Sequence, residues 1–175
     1  MRTPMSVASL LCVLALSASA QTKTSGKLSC GKPDVNSNAD IPDVTGHMVA
    51  LSKSNCTWST GLEIEGAKAK SAVDVGMVEV HGSAGNNHGY NVTTMDNGDK
   101  VTASYQGTAT MNKDGSSTFK GTWKWSSGTG KFKGIKGGGT FKGSQAADGA
   151  ATADIEGEYT LAPPPPAKKG EKKPN

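Results

Sequence analysis

The sequence predicts an all-β protein, a single antiparallel β-barrel of about eight strands closed on itself. Three observations carry this. From Phe119 to Phe141, large apolar residues alternate with Lys, Thr and Ser, the period-2 pattern of strands with one buried and one wet face. Three turn signals recur between such segments: Asp96-Asn97-Gly98-Asp99, Lys113-Asp114-Gly115 and Ala147-Asp148-Gly149. Asn-Gly and Asp-Gly are hairpin signals because both central residues accept positive φ. Glycines interrupt the alternation where a small sheet must coil to close.

The chain opens outside the fold. Arg2 supplies a positive start, residues 7–16 a short apolar core, and Ala18-Ser19-Ala20 a cleavage site, so residues 1–20 read as a signal peptide. The apolar run is too short to span a bilayer. Leu11 before Cys12 argues against a lipoprotein site. The mature chain then starts at Gln21 and is secreted or periplasmic. Cys12 leaves with the signal, and Cys30 and Cys56 remain. In an oxidising compartment two cysteines most simply form one disulfide. It would close a loop of about 26 residues and contribute roughly 3–4 kcal/mol. A redox pair or half a metal site is the alternative, and the spacing is far from Cys-x-x-Cys.

Residues 21–26 read as a polar lead-in, and residues 32–43, with Pro33 and Pro42, as an irregular loop. Strands are expected over 45–53, 62–64 and 73–80; residues 67–72 either begin the last of these or form a helical turn. After Tyr90 the pattern sharpens, with strands over 100–110, 117–126, 138–144 and 151–161. The connection 127–137 is too long for a tight turn, and Phe132 and Ile135 are expected to tuck beneath it. Parity puts Val101, Ala103 and Tyr105 on one face, with Phe119, Trp123, Trp125, Phe141, Ile155 and Tyr159 on the matching faces. That face is the inner one, because the alternate positions hold Lys120, Thr122, Lys124 and Ser126, which are costly to bury. An outer-membrane barrel would turn its apolar face outward between aromatic girdles. Here the second face is charged, so the barrel is soluble and not membrane-spanning. The one domain runs over 21–161, and residues 162–175, with Pro163 to Pro166 and a lysine run, read as a disordered tail.

Charge excludes one class of partner. Of 19 Lys and Arg, Arg2 and four tail lysines lie outside 21–161; of 15 acids, only Glu171 does. The body is therefore neutral, and it holds no arginine, the preferred fork for phosphate and base edges. No nucleic-acid role is expected.

The residues so far argued resemble a known group. Asn97-Gly-Asp-Lys-Val, Tyr105-Gln-Gly-Thr, Gly121-Thr-Trp, the Ser127-Gly-Thr-Gly-Lys-Phe turn with its Gly-rich strand, and Glu156-Gly-Glu-Tyr resemble exported bacterial proteins of unassigned function. They also resemble the allene oxide cyclase barrel-like superfamily, which includes the plant cyclases and the dirigent proteins. The similarity is best over 90–161; around Cys30, Cys56 and Trp58 it extends only to the bacterial set. It implies an eight-stranded antiparallel barrel with an internal cavity, and apolar or phenolic ligands. The cyclase's acid, water-binding and aromatic residues do not map onto matching positions, so its activity is not implied.

Each candidate chemistry has a plainer reading beside it. His81 and His88 flank a Gly/Asn-rich stretch with Glu79 nearby, but the spacing is no recognised metal motif and His47 is far away in sequence; they read as surface histidines in a loop, with no metal and no cofactor expected. No serine sits in a Gly-x-Ser-x-Gly elbow. Asp96, Asp99, Glu79 and Tyr105 could serve acid–base chemistry, but Asp96 and Asp99 are accounted for as turn formers. Trp123, Trp125, Tyr105, Phe119, Phe141 and Tyr159 either fill the barrel or line a pocket for a small apolar ligand. Lys120, Lys124, Lys131, Lys133, Lys136 and Lys142 could meet an anionic polymer, or simply protect exposed strands from aggregation. The reading that results is an exported soluble barrel, a non-catalytic binding or scaffold protein of the envelope that holds a small apolar or phenolic molecule inside. The alternative is a cyclase- or isomerase-type enzyme. An enzyme requires at least two ionisable side chains in the cavity.

Overall fold

The computed structural model describes residues 21–161, so the signal-peptide and tail readings lie outside the described residues. Ten strands are present: β1 (Thr22–Cys30), β2 (Val35–Asp40), β3 (His47–Thr60), β4 (Glu63–Ile64), β5 (Ala67–His81), β6 (Ala84–Met95), β7 (Lys100–Met111), β8 (Ser117–Gly128), β9 (Lys136–Gln145) and β10 (Ala151–Thr160). Eight of them close into an antiparallel barrel in the order β3-β1-β10-β9-β8-β7-β6-β5, with β5 returning to β3. The expected fold class is the observed one.

Three local expectations are corrected. The polar lead-in and the loop over 32–43 hold β1 and β2, which pair in succession along one edge of β3. Their signal is weak because β1 turns Thr24, Gly26 and Leu28 inward and β2 is exposed throughout. Pairing, not apolar alternation, makes them strands. The stretch over 82–87 is no loop. Gly82 and Ser83 alone turn the chain, Gly82 at φ 62°, and β6 begins at Ala84. The three Asx-Gly hairpins are not two-residue turns with paired positive φ. Only Gly98, Gly115 and Gly149 are left-handed there. Each closes a three-residue loop with a glycine bulge, as in Gly98 N–H to Met95 O (3.0 Å) with Met95 N–H to Asp99 O (2.8 Å). The Asx residue before each glycine stays right-handed and accepts the N–H two residues on: Asn97 from Asp99, Asp114 from Ser116, Asp148 from Ala150.

The two ends of the barrel differ. One is plugged by Leu62, Ile64, Met95, Val101, Phe132, Ile135 and Tyr159, a continuous buried cluster. The connection 129–135 forms a single 3₁₀ turn (Gly130–Phe132) that drops Phe132 and Ile135 into this plug, as expected. Asp99 ties the neighbouring hairpin to it by accepting the Lys131 N–H (3.3 Å) and the Thr129 hydroxyl (3.4 Å). The other end, carrying the β5–β6, β7–β8 and β9–β10 turns, has only a small cluster of Leu28, Cys56 and Ala72 near it among the described residues. There Cys30 and Cys56, direct cross-strand partners, are joined in a disulfide at the exit of β1. The outer surface of the strands is polar except on β2, β3, β5 and β6, where Val35, Leu51, Val75, Met77 and Tyr90 are exposed.

Candidate ligand cavity

The inward aromatic side chains do not fill the barrel, because strands one or two positions away place glycines beneath them. A Cβ on Gly121 would lie 2.6 Å from the Phe141 ring, one on Gly143 2.7 Å from Phe119, one on Gly157 2.5 Å from Trp123 and one on Gly76 2.5 Å from the Tyr105 hydroxyl. With no side chain in the way, each ring lies along the wall. An interior cavity of about 550 Å³ remains, between the plug and the open end, in the size range of small-molecule sites.

The cavity has two unlike walls. β7, β8 and β9 supply Tyr105, Phe119, Trp123, Trp125 and Phe141, continued by Ile155, Leu28 and Trp58. Tyr105 and Phe141 meet edge to face with centroids 5.7 Å apart, Trp123 and Trp125 likewise at 4.8 Å. The opposite wall, from β3, β5 and β6, sets Ser52, Asp74, Asn87, Asn91 and Thr93 among the apolar Met48, Ala50, Val78 and Val80. Of the six aromatic residues singled out by sequence, five are at the cavity. Tyr159 belongs to the plug, where its hydroxyl receives the Glu65 N–H (3.2 Å) and donates to Glu65 Oε1 (3.3 Å).

A directional hydrogen-bond chain ends on Asp74. Trp58 Nε1–H donates to Thr93 (3.3 Å), the Thr93 hydroxyl to Asn91 (3.0 Å), and the Asn91 amide to Asp74 Oδ2 (3.2 Å). Tyr105 donates from the other side to Asp74 Oδ1 (2.9 Å). Burial raises the Asp74 pKa above its ordinary value, and the two donors only partly offset it. Burial and the Asp74 charge push the Tyr105 phenol far up, so it stays protonated. Two buried polar atoms at the cavity, Trp125 Nε1 and Asn87 Oδ1, have no hydrogen-bond partner among the described residues. Trp123 differs, since its N–H reaches the Thr140 and Glu156 carbonyls (3.2 and 3.3 Å).

Among the acid–base candidates only Tyr105 faces the interior. Asp96 and Asp99 lie at the turn beside the plug, and Glu79 points outward. Asp74 was missed, yet its signal is in the sequence. It is a carboxylate at an inward position among Ala72, Gly76, Val78 and Val80, where alternation calls for an apolar residue.

The histidines are rearranged relative to their expected roles. His88 sits on β6 opposite Met77 and Gln106, away from His81. His47, remote in sequence, is the direct cross-strand partner of His81. It is buried against Asp43 (2.7 Å) and Glu79 (3.0 Å), and these carboxylates, Asp43 foremost, hold its pKa above the ordinary value. A depression on the outer wall, lined by Lys120, Lys142, Asp154 and Glu156 among others, is larger, at about 900 Å³, but lies open to solvent.

No family model and no curated protein matches the chain. Among solved structures, the pterocarpan synthase dirigent protein PsPTS1 is similar at a TM-score of 0.49 and 13% identity, over 82% of this chain and 97% of that one. The pterocarpan synthase dirigent protein GePTS1 follows at 0.48 and 12%, over 90% and 98%. At these values the likeness is one of general shape and says nothing of residues or ligands.

Proposed function

We propose that this protein is an exported binding barrel of the envelope, and that its interior holds one small, largely apolar molecule bearing a hydroxyl, a phenolic compound in the best case. The observation that carries the reading is the cavity's aromatic wall facing a wall whose polar groups gather around Asp74. Rings stack or pack edge-on against the first, and a ligand hydroxyl donates to the Asp74 carboxylate on the second. Trp125 Nε1–H and Asn87 Oδ1 offer one further donor and one further acceptor. A charge-assisted bond of this kind contributes about 1.5–3 kcal/mol, enough to prefer a phenol over the same ring without its hydroxyl by tenfold or more.

The test is a titration of phenols and their deoxy counterparts, followed by indole fluorescence and calorimetry. One molecule bound per barrel, with the phenols at least tenfold tighter and that preference lost in Asp74→Asn, is expected. A flat response across a broad set sinks the reading.

One observation favours a second reading, an isomerase or cyclase. Asp74 and Tyr105 are two ionisable groups in contact inside the cavity. Asp74, its pKa raised toward the working range, would take a proton from bound substrate, while the protonated Tyr105 hydroxyl would donate to the oxygen where charge develops. Turnover that disappears in Asp74→Asn while binding persists would establish it.

A further inference from the structure

A second cluster of donor side chains lies outside the cavity, on the outer wall at the open rim. His47 begins β3, His81 ends β5, and the two are direct antiparallel partners. Glu79 is two residues before His81 and therefore on the same face. Directly opposed residues bring their Cβ atoms to about 4.5–5.5 Å, and a long side chain spans the diagonal. We propose that His47 Nε2, Glu79 Oε1 and His81 Nε2 form a site for a divalent transition-metal ion of the zinc type.

Geometry supports it. The Glu79 oxygen lies 3.0 Å from His47 Nε2 and 3.5 Å from His81 Nε2, and all three ligand atoms fall within 4.8 Å of one another. Tetrahedral zinc with ligands at about 2.0–2.2 Å requires neighbouring ligand atoms roughly 3.3–3.5 Å apart. Two of the three separations are already near that value. The imidazole rings stack at 3.8 Å and 27°, so His81 must hinge to aim its lone pair. With 53% of its side chain exposed, it is free to do so.

The surroundings support it as well. Asp43 Oδ1 accepts from His47 Nδ1 at 2.7 Å and is itself fixed by the Val44 N–H. A carboxylate on the far ring nitrogen orients a ligating histidine and sets its tautomer. Two imidazoles and one carboxylate suit zinc or copper better than calcium or magnesium. An ion pair alone would need only one of the two rings. Three protein ligands leave a fourth position for water.

The experiment is calorimetric titration of the purified, untagged full chain with Zn²⁺, with Mg²⁺ as the hard-cation control. The expected result is one equivalent bound at micromolar concentration or tighter and little response to Mg²⁺. His81→Ala and Glu79→Gln should each weaken binding at least tenfold. Both residues are exposed, so these variants should fold even if His47→Ala does not. Asp43→Asn should weaken binding about 10–100-fold by releasing the His47 ring, and His88→Ala should change nothing. With Cu²⁺, electron paramagnetic resonance should show coupling to two nitrogens. No binding up to millimolar Zn²⁺, or binding unchanged in His81→Ala, would mean an ion-pair network only and would overturn the proposal.

Discussion

Asp74 is the residue on which the interior turns. Its carboxylate is desolvated by the barrel walls and held by two donors, and the desolvation prevails. A carboxyl whose folded pKa lies above its unfolded value of 3.8 binds more protons in the folded state across that window. Its contribution to stability is full below pH 3.8, falls as pH rises toward the folded pKa, and is level above it. Asp74→Asn cannot titrate. Urea unfolding of both proteins across this acid range should therefore show the parent losing stability relative to the variant as pH rises. Parallel profiles would mean that burial does not dominate at this site.

At the scale of elements, the device that makes room for a ligand is an inward ring on one strand lying over a glycine one or two strands away. Gly76 tests it cleanly. A Cβ there would meet only side-chain atoms, the nearest being the Tyr105 hydroxyl at 2.5 Å. Gly76→Ala should recover roughly 0.5–1 kcal/mol of strand propensity and displace the Tyr105–Asp74 hydrogen bond, whose charged acceptor makes it worth about 1.5–3 kcal/mol. Stability should fall by about 1–2 kcal/mol, and the affinity for a phenol should drop several-fold. Unchanged affinity would remove Tyr105 from the site. Gly121 is unlike it, because its Cβ would also collide with the Gln106 carbonyl and the Gly107 backbone. Substitution there is expected to damage the fold itself.

For the molecule as a whole, closure depends on β3, whose one edge pairs with β5 and whose other edge is shared by β1 and β2. The Cys30–Cys56 disulfide secures that seam, bridging a sequence separation of 26. Beside it the chain packs Pro33 against Gly149 and pairs Lys32 with Asp148 (3.2 Å), holding the β9–β10 turn at the cavity mouth. Replacing both cysteines by serine should cost about 3 kcal/mol in urea unfolding, and thiol titration of the unfolded, unreduced parent should find none free. Export, which the disulfide motivates, predicts a mature protein whose sequencing starts at Gln21. An uncleaved chain in the cytoplasm would contradict it.

The sequence by itself determined the barrel class, the inner face of β7 to β10, the buried Phe132 and Ile135, and the cysteine pair. Each of these follows from short-range rules: alternation, turn residues, the count of cysteines. β1 and β2 were illegible because β1 offers only Thr24, Gly26 and Leu28 inward and β2 is exposed throughout, while β1 finds its partners on β10 and the far end of β3, distant in sequence. Whether Trp123 and Trp125 fill or line the interior depended on which glycine lies under which ring, a matter of register between strands. Asp74 stood out as a polar residue at an apolar position, but its partners Tyr105, Asn91 and Thr93 are neighbours only across the sheet. His47 meets His81 for the same reason: antiparallel pairing joins positions that no spacing along the chain relates. Tertiary structure decided the site because a β-sheet places its side chains by register, and register is a property of strand pairs.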